Sequence, residues 1–269
     1  AAYTDLMLQL PNPPADDVPI GLDESGNQVV KTWGDIPNFD FKPKSHHHLA
    51  KNLDLYDEKR AVRIAGSRSF FLKNDLVLLE QALLNHALKK MVHLGFTPMT
   101  VPWMVNQSAL IGTGYFPWGK DDHYTTQDNQ HLIGTAEVSL TAYHQNETLS
   151  HKDLPLKMCG ISPCFRREVG SYGKDTQGFF RLHQFTKVEM VVYTVADEDQ
   201  TRQMHDQMLA ISEEILKDLQ LPYQVLVMCT GDMGAGQRKN TTSKPGSRLK
   251  TSTAKPTQTP TSTTSKPVD

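Results

Sequence analysis

The stretch from Pro163 to Met190 limits what this chain can fold into more than any other. Its two arms are Pro163-Cys-Phe-Arg-Arg-Glu-Val-Gly-Ser171 and Phe179-Phe-Arg-Leu-His-Gln-Phe-Thr-Lys-Val-Glu-Met190. Between them lies a polar loop bounded by Gly170 and Gly178. Apolar-rich arms around a glycine-punctuated loop predict two antiparallel strands joined by a long turn. Along the second arm Arg181, His183, Phe185, Lys187 and Glu189 alternate with Leu182, Gln184, Thr186 and Val188. A period of two places the first set on one face of a sheet, and Arg166 and Glu168 of the first arm can join it. That face carries cations, a ring and carboxylates, which is unusual for strands that should bury something. Pattern alone leaves open a plainly solvated hairpin face.

A resemblance decides between the two. Phe165-Arg-x-Glu168, a loop, then Gly178-x-x-Arg-x-His-Gln-Phe-x-Lys-Val-Glu189 resembles motif 2 of the class II aminoacyl-tRNA synthetases, in the form found in seryl-tRNA synthetases. The match joins rare residue types at fixed spacing, whereas a lone Arg-x-Glu would carry little. The resemblance implies an α+β fold: a mostly antiparallel sheet flanked by helices, incomplete at its C-terminal end. It also implies a serine–tRNA ligase that uses ATP and Mg²⁺, pairs as a homodimer, meets tRNA and works in the cytoplasm.

Composition sets wider bounds. The 269 residues suffice for one large domain or two small ones, and 38% hydrophobic with 22% charged residues is ordinary for a globular chain. A net charge of -2 gives no global pull towards nucleic acid, so any RNA contact needs a local patch or a part outside this sequence. No apolar run approaches the ~20 residues of a membrane span. No signal peptide is read at Ala1, and the first residue is not Met, so a fragment or a processed chain is expected. Cys159, Cys164 and Cys229 cannot all pair and have no second Cys/His cluster at ligand spacing, which predicts buried free thiols in a reducing compartment. His46-His47-His48 invites a metal reading, but adjacent side chains diverge and chelate poorly.

In chain order, Tyr3 to Leu10 followed by Pro11-Asn-Pro-Pro14 predicts the last turns of a helix. Ser67 to Leu72 predicts a short strand, and Asn74 or Asp75 a cap for the next helix. That helix has Leu76, Leu79, Leu83, Leu84, Leu88, Met91 and Val92 at helical spacing and stops at Gly95. Pro98 and Pro102 confine Phe96–Pro102 to a sheet edge or an interface. This helix and strand, about 75–102, resemble motif 1, the dimer interface of class II synthetases. From pattern alone, a helix packed on its own sheet is nearly as good a reading. Thr135-Ala136-Glu137 should open a helix, with capping as its simplest role. Leu156–Ile161 predicts a strand, Asp197–Gln220 an amphipathic helix, and Tyr223–Cys229 a buried strand. Cys229-Thr-Gly-Asp-Met-Gly234 is a loop that also resembles the family.

The family's pattern implies roles residue by residue. Arg166 would be the catalytic cation, bridging the α-phosphate of ATP and the serine carboxylate, a task its planar fork suits. Glu168 would accept from the adenine amino group, Phe185 would stack on the base, Arg181 would meet the γ-phosphate, and Arg167 and Leu182 would complete the nucleotide site. Thr135, Ala136 and Glu137, with Arg166 and Glu189, would hold serine. The family has Pro where Gly134 stands and a basic residue where Gln177 stands. The resemblance covers roughly residues 5–239 and stops before the family's later strands, which carry a metal-binding Glu, a serine-binding Ser and the motif 3 Arg. No metal ligand is therefore expected here, and weak or absent activity is. Two rivals remain: a paralogous class II enzyme for another small amino acid, and a synthetase-like module that binds or dimerises without catalysis.

This gives three expected segments. Residues 1–30 form the end of a tRNA-binding arm and a linker, 31–239 the catalytic core, and 240–269 a disordered tail. The tail is rich in Thr, Ser, Lys and Pro, which permits disorder. It also permits a sharper reading. Asn240-Thr-Thr-Ser-Lys-Pro-Gly246 can be encoded so that the neighbouring frame gives Tyr-Asp-Ile-Glu-Ala-Trp, which resembles the family's continuation. The tail is thus expected to be out-of-frame translation that packs poorly.

Overall fold

The computed structural model describes residues 2–169 and 178–246. The helices are α1 Ala2–Met7, α2 His46–Asn52, α3 Glu58–Ala65, α4 Asp75–His93, α5 Gln107–Gly112, α6 Ala136–Thr141 and α7 Glu198–Asp218. The strands are β1 Gln28–Trp33, β2 Tyr56–Asp57, β3 Phe71–Leu72, β4 Thr97–Met99, β5 Met104–Val105, β6 His131–Leu132, β7 Leu156–Phe165, β8 Gln184–Tyr193, β9 Tyr223–Val227 and β10 Thr241–Pro245. They form two three-stranded sheets, β4-β7-β8 and β1-β9-β10, and two short pairs, β2-β3 and β5-β6.

The predicted hairpin is the centre of the first sheet. β7 and β8 pair antiparallel from Leu156↔Tyr193 to Phe165↔Gln184. β4 adds to the far edge of β7 in parallel, where Pro98 costs no inner ladder bond. Met158 and Cys159 are neighbours on β7 and so face opposite ways. Met158 packs with Leu110, Ile133, Val138 and Leu140 on one face, while Cys159 packs with Met91, Phe96, Met190, Met208 and Ile211 on the other. Both faces of this sheet are therefore covered by apolar side chains. Burial pushes the Cys159 thiol up to about 11, and all three cysteines are free and buried, as expected.

The second arm enters the ladder later than its alternation predicts, at Gln184 rather than Phe179. Phe179 packs edge-on against Tyr56 and Phe70 and near His46, and Arg181 pairs with Glu168. These contacts draw residues 178–183 out of the sheet. Gly178 makes the turn possible: its φ is +83°, and a Cβ there would lie 2.0 Å from His46 Nε2.

The two long helices follow their apolar periodicity. Asp197 caps α7 by accepting from the Gln200 amide at 2.9 Å, and α4 ends at Gly95 with φ +85°. Asn74 precedes α4 at φ +51° but does not cap it; its side-chain amide donates to the Asp54 carbonyl at 3.0 Å. The predicted strand Ser67–Leu72 shrinks to Phe71–Leu72, paired with β2.

Two expectations at the chain ends change. Residues 12–27, read as linker, are bonded along the 229–238 loop. Asn12 and Ala15 donate to the carbonyls of Ala235 and Arg238 at 2.8 Å, and the Cys229 amide donates to Asn27 Oδ1 at 2.9 Å. Gly231 allows the close approach, since a Cβ there would sit 2.3 Å from the Leu22 carbonyl. At the other end, residues 240–246 are not disordered. Asn240, Thr241, Thr242 and Ser243 are buried, and β10 pairs with β9 from Thr241↔Val227 to Pro245↔Tyr223. Alternating backbone bonds need no particular side chain, so a Thr/Ser run can pair. The rest of the tail, 247–269, and the motif loop with Gln177 lie outside the described residues.

Candidate functional site

The site gathers at the end of the central hairpin. Thr135 is the N-cap of α6; its Oγ1 accepts from the Glu137 amide at 3.2 Å and donates to Glu189 Oε2 at 2.6 Å. Capping, its simplest role, is thus real, but the same hydroxyl also ties the helix start to β8. Glu189 is buried on β8 and pairs with Lys187, two residues away on the same face. Glu137, in the first turn of α6, is also buried and accepts from the Tyr115 hydroxyl at 2.8 Å. Burial pushes the Tyr115 phenol well up, and Glu137 and Glu189 add to the shift, so the hydroxyl stays protonated and donates.

Arg166 lies just past β7. Its Nε and Nη2 both donate to the Gly134 carbonyl at 3.3 Å, and its guanidinium lies over the Phe185 ring, 5.1 Å from the centroid. A planar cation over a ring is fixed in orientation without losing its charge. Arg166, Glu137, Lys187 and Tyr115 line one cavity of about 440 Å³. Its opposite wall is the 232–237 loop, which the N-terminal segment pins.

The other predicted residues divide. Glu168 holds φ +57°, a region that costs a non-glycine residue energy, and is ion-paired to Arg181. Arg181 Nε is buried without a partner. Leu182 is buried beside them in sequence. Arg167 is turned away: its amide donates to the Asp122 carbonyl and its Nη1 to the Asp121 carbonyl, both at 3.0 Å, so its side chain serves the 120–122 turn. The Ala136 side chain sits in the apolar core rather than on the cavity.

Tyr115, Lys187 and the 232–237 wall received no role from the sequence. Lys187 stood on the predicted charged face, and its alternation with Glu189 was the available signal. Tyr115 had none, because its partner is 22 residues away. Among the described residues no group of three His, Cys, Asp or Glu is placed to hold a metal ion, and no helix is long and apolar enough to cross a membrane.

Residues 121–258 match the model for the tRNA synthetase class II core domain (G, H, P, S and T). The chain is 40% identical over 233 residues to a serine–tRNA ligase of Nitrosopumilus maritimus and 43% identical over 239 residues to that of Bdellovibrio bacteriovorus. These alignments cover 86% and 88% of this chain and 55% of each relative, so the chain spans about half the length of the relatives it matches. The crystal structure of seryl-tRNA synthetase from Pyrococcus horikoshii complexed with ATP superimposes with a TM-score of 0.87 at 35% identity, over 91% of this chain and 59% of that one.

Proposed function

The chain belongs to the class II tRNA synthetase core family, and we propose on that premise that it carries the serine-activation centre of a serine–tRNA ligase. The observation that carries this reading is the cavity itself, where one ring-backed guanidinium shares a wall with a buried carboxylate.

Activation brings two anions together, the serine carboxylate and the α-phosphate of ATP. A fixed cation between them lowers their repulsion and stabilises the charge that develops on in-line attack. Arg166 takes that place, and its fork contacts both. Glu137 and Glu189 take the ammonium and the hydroxyl of serine. No protein base is required, because the serine carboxylate is already a nucleophile; positioning supplies the rate. Phe185 stacks on adenine from the face opposite to its contact with Arg166. Glu168 exchanges Arg181 for the adenine amino group, and Arg181 then turns to the γ-phosphate. Mg²⁺, when bound, neutralises the phosphates; the described residues supply no set of three ligands for it.

Serine, ATP and tRNA are the proposed substrates, the cytoplasm the proposed compartment and a second copy the proposed partner. The dimer reading rests on α4, whose Leu78 is 69% exposed and whose Leu79 and Leu83 are also exposed. The test is calorimetric titration of this chain with a non-hydrolysable sulfamoyl analogue of seryl-adenylate. Arg166→Ala is expected to weaken binding about 10²-fold, and Arg166→Lys is not expected to restore it, because the fork is lost. A Lys variant that binds like wild type would refute the bridging role.

A further inference from the structure

We propose that Tyr115 is a positioning residue that aims the Glu137 carboxylate at the amino-acid ligand; this rests on the serine-activation reading above. The first support is the contact itself. The Tyr115 hydroxyl donates to Glu137 Oε2 at 2.8 Å, and both residues line the same cavity. The ring is partly exposed to that cavity while the hydroxyl end is desolvated by the protein.

The second support is how firmly Tyr115 is held. The chain leaves α5 at Gly112, and the Thr113 hydroxyl donates back to the Ala109 carbonyl at 2.8 Å. Gly114, at φ +79°, then swings the chain round, and the Tyr115 amide donates to the Leu110 carbonyl at 2.9 Å. Leu110 is fully buried, so the anchor is rigid. The side chain thus reaches Glu137 from a fixed base.

The third support is the chemistry of the donor. Glu189 is held by a cation, Lys187, which cancels much of its charge. Tyr115 is neutral, so its bond orients Glu137 without neutralising it. The Tyr115 contact therefore fixes the direction of the Glu137 carboxylate, whereas the Lys187 contact offsets the charge of Glu189. The phenol's strongly raised pKa keeps it a donor across the physiological range.

The test uses the full chain and two probes: the sulfamoyl analogue of seryl-adenylate, which reaches both halves of the site, and AMP, which reaches only the nucleotide half. Tyr115→Phe keeps the ring and removes the hydroxyl. Analogue affinity should fall about tenfold, while AMP affinity stays as in wild type. In a Glu137→Gln background the same Tyr115→Phe change should cost almost nothing more, because the carboxylate it aims is gone. A Tyr115→Phe variant that binds the analogue like wild type, or that loses AMP equally, overturns the proposal; so does full additivity with Glu137→Gln. A wild-type chain that binds AMP but not the analogue removes the serine reading, and this inference with it.

Discussion

The two three-stranded sheets are built on different principles. In β4-β7-β8 the central hairpin is long, and apolar side chains cover both faces. In β1-β9-β10 the ladder bends at a bulge between Val29 and Lys31, β1 is largely exposed, and β10 buries Thr241, Thr242 and Ser243. Beside the buried Tyr223 and Val225 of β9, polar contacts hold the second sheet. Glu213 of α7 accepts from the Tyr223 hydroxyl at 2.7 Å and pairs with Lys31 at 2.7 Å. Trp33 stacks on Tyr223 with centroids 5.6 Å apart. Between the sheets a groove of about 160 Å³ is lined mostly by apolar groups, Met91, Val188, Met190, Ile215 and Leu216, with Ser243 and the Lys187–Glu189 pair at its wall. The face of the first sheet that packs on α6 is filled, so truncation there loosens it. The second meets an apolar groove with a hydroxyl, so substitution there can tighten it.

The largest effect should come from the filled half. Leu140 is fully buried between α6 and the sheet, and α6 carries Glu137. Leu140→Ala removes three carbons from a site with little freedom to collapse, and should cost about 3 kcal/mol in urea denaturation. A cost below about 1 kcal/mol would mean the first half is not the tightly packed one.

The contrast also explains what the sequence disclosed. Regular periodicity was legible: α7 lies within a residue or two of its expected ends, and the Thr135 cap stands where the Thr-Ala-Glu pattern put it. Arg166 and Glu137 line one cavity, Phe185 lies under the Arg166 guanidinium, and Glu189 is bonded to the Thr135 cap. Contacts between distant residues were not legible. Arg167 turned to a carbonyl 46 residues away, Asn74 to one 20 residues away, and Phe179 to aromatic rings around His46, which shortened β8. The ordered Thr/Ser strand was missed because its pairing to β9 is a contact between distant segments that a low-complexity composition does not disclose.

That strand gives the second prediction. The out-of-frame reading of the tail remains our proposal, and the neighbouring frame places an isoleucine at the position of Ser243. Ser243→Ile should fill the groove with aliphatic carbons beside Met190, Ile215 and Leu216, and raise stability by roughly 1 kcal/mol. A loss of stability would show that the groove is too narrow and that the seam is already complete. The nucleotide sequence over codons 238–269 checks the frame independently; codons that cannot yield the strand in the shifted frame end the idea.

The smallest effect tests the polar half by pH. Burial pushes the Glu213 carboxyl up, but the hydrogen bonds from Lys31 and Tyr223 outweigh it and hold the group below its ordinary value of 4.5. A carboxyl depressed by folding binds fewer protons in the folded chain than in the unfolded one near its ordinary value. Its contribution is therefore fully present above that value, and is lost as pH falls through the lower folded one. Because Lys31 is half exposed, water screens the pair and the contribution stays within about 1 kcal/mol. Glu213→Gln keeps the shape and removes the charge. At pH 7 its melting temperature should lie slightly below that of wild type, and between pH 5 and pH 3 the gap should close. A gap that stays constant across that range would mean that Tyr223 and Trp33, not the carboxylate, hold β1 to β9.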